Sequence, residues 1–221
     1  MAAGLTLANL RSLLRDHLDD LGADRFSDAR LLLLLNEGQR EIQKIVDAAD
    51  EHFFSKAVAY TVLTTTDALE FTLPDDLLKV IQVERQVSGG NAIPAIYVDF
   101  RSRHRDSYAT EWVGDTSASD SPRFYVRGNK LGVIDPTESY TLRLWYTYAV
   151  PDLVGDGDFS EIPNEYRGLI ALHAAKLAQG ADEANFSADL NALYEAGIAR
   201  LTAYIENRQR HQPRRVHYVP D

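Results

Sequence analysis

Two amphipathic helical stretches, Leu5 to Ala49 and Ile162 to Asn207, stand towards opposite ends of the chain and enclose a middle whose apolar residues alternate with a period of two. Each outer stretch carries one apolar stripe that has to be buried, and the nearest equivalent partner is the other stretch. This constraint predicts an α+β protein: a discontinuous helical bundle of two N-terminal and two C-terminal helices, with an antiparallel β-rich lobe inserted between its halves. The expected divisions are 1–54 for the first half of the bundle, 55–150 for the lobe, 151–207 for the second half and 208–221 for an extended tail.

Leu7, Leu10, Leu14, Leu18 and Leu21 recur at helical spacing after Thr6, a capping residue, and Gly22 offers a C-terminal stop. Ser27 can cap a second helix whose stripe is Leu31, Leu34, Leu35, Ile42, Ile45, Val46 and Ala49. Gly38 lies inside that helix, where glycine costs about 1 kcal/mol relative to alanine. Close packing by another helix and simple tolerance both account for it. A third helix opens at Ile162-Pro163, runs through Tyr166, Leu169, Ile170, His173 and Leu177, and stops at Gly180. The fourth carries Phe186, Leu190, Leu193, Tyr194, Ile198, Leu201 and Ile205 and dissolves from Gln209, because Pro213 and Pro220 forbid a continued helix.

Between the helices, Val58, Tyr60 and Val62 alternate with small or polar residues, and so do Leu69, Phe71 and Leu73; these two runs read as paired strands. Pro74 ends the second, and Val80, Ile81 and Val83 begin a third. Gly128-Asn129 is a two-residue hairpin signal between Phe124–Val126 and Lys130–Ile134. The clearest alternation is Tyr140, Leu142, Leu144, Tyr146 and Tyr148. Residues 99–122 follow neither period and read as an exposed excursion with a short helix near Arg103 to Tyr108. Its basic cluster of Arg101, Arg103, His104 and Arg105 reads either as a solvated face or as a loop for contact with an acidic partner.

Cysteine is absent, which removes disulfides, thiolate nucleophiles and cysteine-based zinc sites. No apolar run approaches the roughly 20 residues of a membrane span, and the N-terminus lacks the features of a signal peptide, so a non-secreted product without membrane contact is expected. The net charge of -10 disfavours general duplex binding. Charge is nevertheless uneven. From Arg208 onward Arg208, Arg210, Arg214 and Arg215 face one acid, Asp221, leaving +3 on the tail and -13 on the rest.

Catalytic patterns are represented only by fragments. Gly155-Asp156-Gly157-Asp158 lacks the ordered acids of a calcium loop and reads as a turn. Adjacent Asp75 and Asp76 would face opposite sides of a strand, and His173, on a helical stripe, reads as a satisfied core histidine. There is no phosphate loop and no nucleophile elbow. A metal-dependent hydrolase would have to be assembled from His104, Asp106, Glu111 and His173. No cofactor, metal site or enzymatic activity is therefore expected.

The order of Leu35-Asn36-Glu37-Gly38-Gln39-Arg40-Glu41-Ile42, Phe71-Thr72-Leu73-Pro74-Asp75-Asp76, Pro122-Arg123-Phe124-Tyr125-Val126, Leu142-Arg143-Leu144-Trp145-Tyr146 and Ile162-Pro163 resembles the head-to-tail adaptor (connector) proteins of tailed bacteriophages over nearly the whole chain. The resemblance implies a structural virion protein of the neck. It would form a homo-oligomeric ring, usually of twelve copies, seated beneath the portal protein, carrying the tail or nozzle protein and leaving a channel through which DNA passes without sequence-specific binding. In that setting the tail residues Arg208, Arg210, Arg214, Arg215, Val216, Tyr218 and Val219 dock on the portal, and Arg101, Arg103 and Arg105 form a partner-contact loop. Alanines at 171, 174, 175, 178, 192, 196 and 199 would let helices pack closely, within the bundle or between subunits. Other readings are a stopper or tail-completion protein of the same neck and a DNA-binding module using the arginine tail.

Overall fold

The computed structural model describes residues 5–22, 25–63, 69–86, 92–101, 121–134, 138–181 and 188–210. Among the described residues, four helices and two mostly antiparallel sheets make an α+β fold, divided into a unit of Met1–Phe53 with Val150–Asp221 and a unit of Phe54–Ala149.

In the first unit, α1 spans Leu7–Leu18 and buries Leu7, Leu10, Leu14 and Leu18. Thr6 caps it, its hydroxyl accepting the Asn9 N–H at 3.3 Å, a contact of a kind that contributes about 1 kcal/mol. The helix stops earlier than Gly22. Asp19 adopts the left-handed conformation at φ 52, one that Asp tolerates better than most residues. The early exit turns the Asp20 carboxylate inward, where it accepts from Arg15 at 2.9 Å and from the N–H groups of Arg25 and Phe26. Leu21, expected on the apolar stripe, is 74% exposed as a result.

α2 spans Asp28–Ala49 and is capped by Ser27, whose Oγ accepts the Arg30 N–H. After Pro163 a single 3-10 turn, Asn164–Tyr166, leads into α3, Gly168–Ala181, which runs one residue past Gly180. α3 packs against α1, α2 and α4. Gly38 faces this contact: a Cβ there would lie 2.7 Å from the Ile170 carbonyl oxygen, so close approach of backbones is the reason for the glycine. Ala171, Ala174, Ala175 and Ala178 of α3 are buried, and the Ala174 backbone lies beside Gly38.

α4, Ala188–Arg210, buries Tyr194, Leu201 and Ile205 but leaves Leu193 60% exposed. It continues past Asn207, so Arg208 and Arg210 stand on a helix and not on an extended tail. The expected start at Phe186 lies outside the described residues.

Among the described residues the second unit has eight strands: β1 Ser55–Val62, β2 Leu69–Thr72, β3 Leu77–Gln86, β4 Ala92–Pro94, β5 Ile96–Tyr97, β6 Arg123–Arg127, β7 Lys130–Ile134 and β8 Tyr140–Tyr148. They form two four-stranded sheets in the orders β1-β8-β3-β4 and β2-β7-β6-β5. The first two strands do not pair with each other. β1 pairs with β8 and β2 with β7, and their apolar faces meet instead: the Tyr60 ring lies 5.0 Å from that of Phe71, and its hydroxyl donates to the Thr72 carbonyl. Alternation makes a strand amphipathic but does not say whether its neighbour lies beside it or across the core.

The β6–β7 hairpin turns at Gly128-Asn129 as expected, with Gly128 at φ +57. The two-residue β5 runs parallel to β6, a departure from the antiparallel expectation. β8 sits between two strands and buries Leu142, Leu144, Tyr146 and Tyr148, the residues of its sequence alternation. The helix expected near Arg103 to Tyr108 lies outside the described residues.

Candidate functional site

The segment that returns the chain to the helical unit is held by α2. Asn36, Gln39, Arg40 and Gln43 recur at helical spacing and all reach the stretch from Val150 to Leu153. Asn36 makes two bonds with Leu153, donating to its carbonyl at 3.1 Å and accepting its N–H at 2.9 Å. Gln39 donates to the Pro151 carbonyl at 2.9 Å, Gln43 accepts the Val150 N–H at 3.0 Å, and Arg40 forks onto both carboxylate oxygens of Asp152. The three amide side chains are buried. A helix satisfies its own backbone, so only side chains can satisfy a strand-like segment laid along it. Sequence reasoning did not assign these residues; the signal was amides set among the apolar positions of one helix.

Beyond Leu153, the Gly155-Asp156-Gly157-Asp158 run is a turn that caps α1. The carbonyls of Asp158 and Asp156 accept the N–H groups of Leu7 and Ala8 at 2.9 and 3.1 Å, and Asp156 pairs with Arg11 at 3.0 Å. The Asp158 carboxylate accepts from the Gly155 and Val154 N–H groups, which hold its pKa below the usual carboxylate value. Among the described residues no group of three or more His, Asp or Glu side chains could hold a metal ion.

His173 bonds through Nδ1 to the Tyr194 hydroxyl at 3.0 Å. Burial lowers its pKa and raises that of Tyr194, so a neutral pair bridges α3 and α4 near pH 7. This is the satisfied histidine expected from its position. His104, Asp106 and Glu111 lie outside the described residues. Asp76 receives bonds from Lys56 and Tyr146, each at 3.1 Å, while Asp75 is exposed.

Of the expected docking residues, Arg208 is exposed in the last turn of α4, its guanidinium 4.8 Å from the centroid of the Phe53 ring. Arg210 is the final residue of that helix. Arg214, Arg215, Val216, Tyr218 and Val219 lie outside the described residues. In the second unit Arg101 is exposed, its backbone N–H bonded to the Asp99 carboxylate at 2.7 Å, while Arg103 and Arg105 lie outside the described residues.

The alanines divide by helix. Those of α3 are core, whereas Ala192, Ala196, Ala199 and Ala203 form an exposed strip along α4. Tyr204 lies beside that strip, its ring 5.5 Å from Tyr166. No helix among the described residues is long and apolar enough to cross a membrane.

Comparison with known families matches the chain to the family described as SU10 adaptor protein, over residues 5–217. A search of curated proteins gives no match.

Proposed function

The chain belongs to the SU10 adaptor protein family, a family of phage structural adaptors, and from that premise we propose that it forms the ring joining portal to tail in the virion neck. In this reading about twelve copies, the usual number in such rings, associate side by side around a channel for DNA. The portal protein binds one face, and the tail or nozzle protein binds the other. The observation that carries the reading is the extent of the family match, which takes in both halves of the helical unit and the whole strand unit.

Two surfaces support it. The strip Ala192, Ala196, Ala199, Ala203 leaves α4 without bulky side chains on one side, as close approach of a neighbouring helix requires. The last turn of α4 and the residues beyond it carry the basic charge, with Val216, Tyr218 and Val219 among the arginines as apolar anchors for the portal. The remaining -13 of net charge, if it faces the channel, lets DNA slide without multivalent phosphate contacts. The loop bearing Arg101, Arg103 and Arg105 is assigned to contact with an acidic partner.

Electron microscopy of the protein mixed with the portal protein of the same genome tests this. The full chain is expected to add a ring to the portal, and a chain ending at Arg210 is expected to add none. No association by either would move the protein to the stopper position, one step further from the capsid.

A further inference from the structure

Among the described residues, the four strands that form the sheet edges are not equally protected. β4 is three residues long and ends in Pro94, which has no N–H. β5 has two residues, and β2 has four, with its Thr72 carbonyl taken by the Tyr60 hydroxyl at 3.0 Å. β1 has eight residues in unbroken register with β8, from Ser55 opposite Thr147 to Val62 opposite Tyr140, with neither proline nor bulge. Its one charged side chain does not guard the edge: the Lys56 ammonium is drawn to the Asp76 carboxylate at 3.1 Å and lies 3.6 Å from the centroid of the Tyr148 ring.

The direction of its backbone groups follows from one bond. The Tyr148 N–H donates to the Phe54 carbonyl at 3.1 Å, so the alternation of an antiparallel ladder turns Lys56, Val58, Tyr60 and Val62 towards β8. Ala57, Ala59 and Thr61 therefore present N–H and C=O groups outward. All three are exposed, and none has a partner for those groups among the described residues. Long, regular edges are normally blunted by charge, proline or a bulge. This one is left able to accept a strand.

The edge matches itself. When β1 of a second copy is laid antiparallel beside it and centred on Ala59, every residue from Lys56 to Val62 is paired: Ala59 with its own counterpart, Ala57 with Thr61, Val58 with Tyr60 and Lys56 with Val62. Ala57, Ala59 and Thr61 then fall at the hydrogen-bonded positions of the new ladder, where opposite residues exchange both bonds, so the outward groups of all three are satisfied. Val58 and Tyr60 make a β-branched and aromatic cross-strand pair on the face where Tyr60 meets Phe71. No like charges stand opposite each other, and Ala57 and Ala59 put no bulk on the other face. Within this unit no other described edge is long enough to pair residues 56–62, so the strand that fits β1 is another β1.

We propose that this edge is the docking site for a second copy of the chain, β1 against β1 about a two-fold axis between the two Ala59 residues. The pairing does not depend on the adaptor reading. An isologous contact closes at two copies and cannot by itself build a ring. Where the ring also forms, the dimer is a state of the free protein that covers the β1 edges until the copies part for assembly.

Sedimentation equilibrium of the full chain over a concentration series tests it, with hydrogen exchange on the same samples. The mass is expected to approach twice that of one chain, while the amides of Ala57, Ala59 and Thr61 exchange about tenfold more slowly at the concentrated end than at the dilute end. Ala59→Lys sets like charges against each other across the axis, and Ala59→Glu does the same with the opposite sign. Each variant alone is expected to stay monomeric, and an equimolar mixture of the two is expected to regain the dimer. A full chain that stays monomeric throughout the series would overturn the proposal, and so would dimers formed by either variant alone. A doubled mass with unchanged exchange at the three amides would overturn it as well, by giving the dimer to another surface.

Discussion

In the helical unit the segment from Val150 to Leu153 is fastened by side chains, those of Asn36, Gln39, Arg40 and Gln43, whereas in the strand unit Tyr148 is held by the backbone of Phe54. The same stretch of chain thus passes from one kind of closure to the other. A sheet joins remote segments with groups that every residue has, so β1, β3 and β8 need only the right alternation. Helices have already used their backbone groups internally. Joining a returning segment to a helix needs particular side chains at particular positions, and the helical unit is correspondingly sensitive to single substitutions. The largest expected effects are therefore on that unit.

Asn36→Ala should be the most damaging of the changes considered. It removes two bonds to Leu153 and leaves a buried N–H and C=O unpaired; at 1–3 kcal/mol for each such group, a loss of about 3 kcal/mol is expected. Urea denaturation followed by the far-ultraviolet helix signal measures it. A loss no larger than that of an exposed substitution would mean that water replaces Asn36, and the contrast between the two closures would fail.

Gly38→Ala comes next. Alanine improves helix propensity by about 1 kcal/mol, but its Cβ would stand 2.7 Å from the backbone carbonyl oxygen of Ile170, which cannot swing aside as a side chain can. Overpacking of this kind costs about 1–3 kcal/mol, so the variant should be destabilised by about 1 kcal/mol in net terms. A more stable variant would show that α2 and α3 approach less closely in solution.

These two positions also show how much of the molecule was legible beforehand. Element types followed from periodicity because burial imposes it: Leu7 to Leu18, Leu31 to Val46 and Tyr140 to Tyr148 each reveal one face of one element. Partnerships between elements were less visible. Tyr60 and Phe71 look the same in sequence whether their strands lie side by side or face to face. Leu21 fitted the helical period, yet the inward pull on Asp20 ends α1 before it. Gly38 signalled a close contact without naming Ile170, and the amides of α2 gave no hint of which backbone they serve. Of the candidate docking residues, Arg208 and Arg210 were placed on a tail, because Pro213 bounds the helix but does not say where before it the last turn ends.

Tyr125→Phe probes the strand unit with a comparable deletion of polar atoms. The Tyr125 ring lies across Gly132, which has no side chain to obstruct it, and its hydroxyl donates to Glu70 at 2.9 Å. Removing the hydroxyl leaves the ladder and the ring packing in place and removes the bond to Glu70, a loss of about 1 kcal/mol. Thermal denaturation of the variant measures this. An effect as large as that of Asn36→Ala would show that the strand unit, too, depends on a single side-chain bond.

The remaining expected effect is a gain, and it depends on pH. Asp47 stands in the last turn of α2, where the exposed carbonyls disfavour negative charge. Burial pushes its pKa up to about 6 and the Asp50 carboxylate adds to the rise, while the bond from Gln43 opposes it. With the folded pKa above the ordinary 3.8, the native state binds the proton more tightly than the unfolded chain. The destabilisation due to Asp47 is therefore full above pH 6 and fades as pH falls towards 4. Asp47→Asn should stabilise the protein at pH 7.5 by about 1 kcal/mol, allowing for the screening of a half-exposed group, and should give little at pH 4. Asp158 has the opposite sign: its pKa is lowered by the Gly155 and Val154 N–H groups, so its contribution is present at neutral pH and lost as pH falls through the folded value. Asp158→Ala should accordingly weaken the capping turn of α1 at pH 7.5 and matter least in acid. Denaturation of both variants at the two pH values separates them; equal behaviour of Asp47→Asn and the parent protein at pH 7.5 would place the Asp47 carboxylate in bulk water.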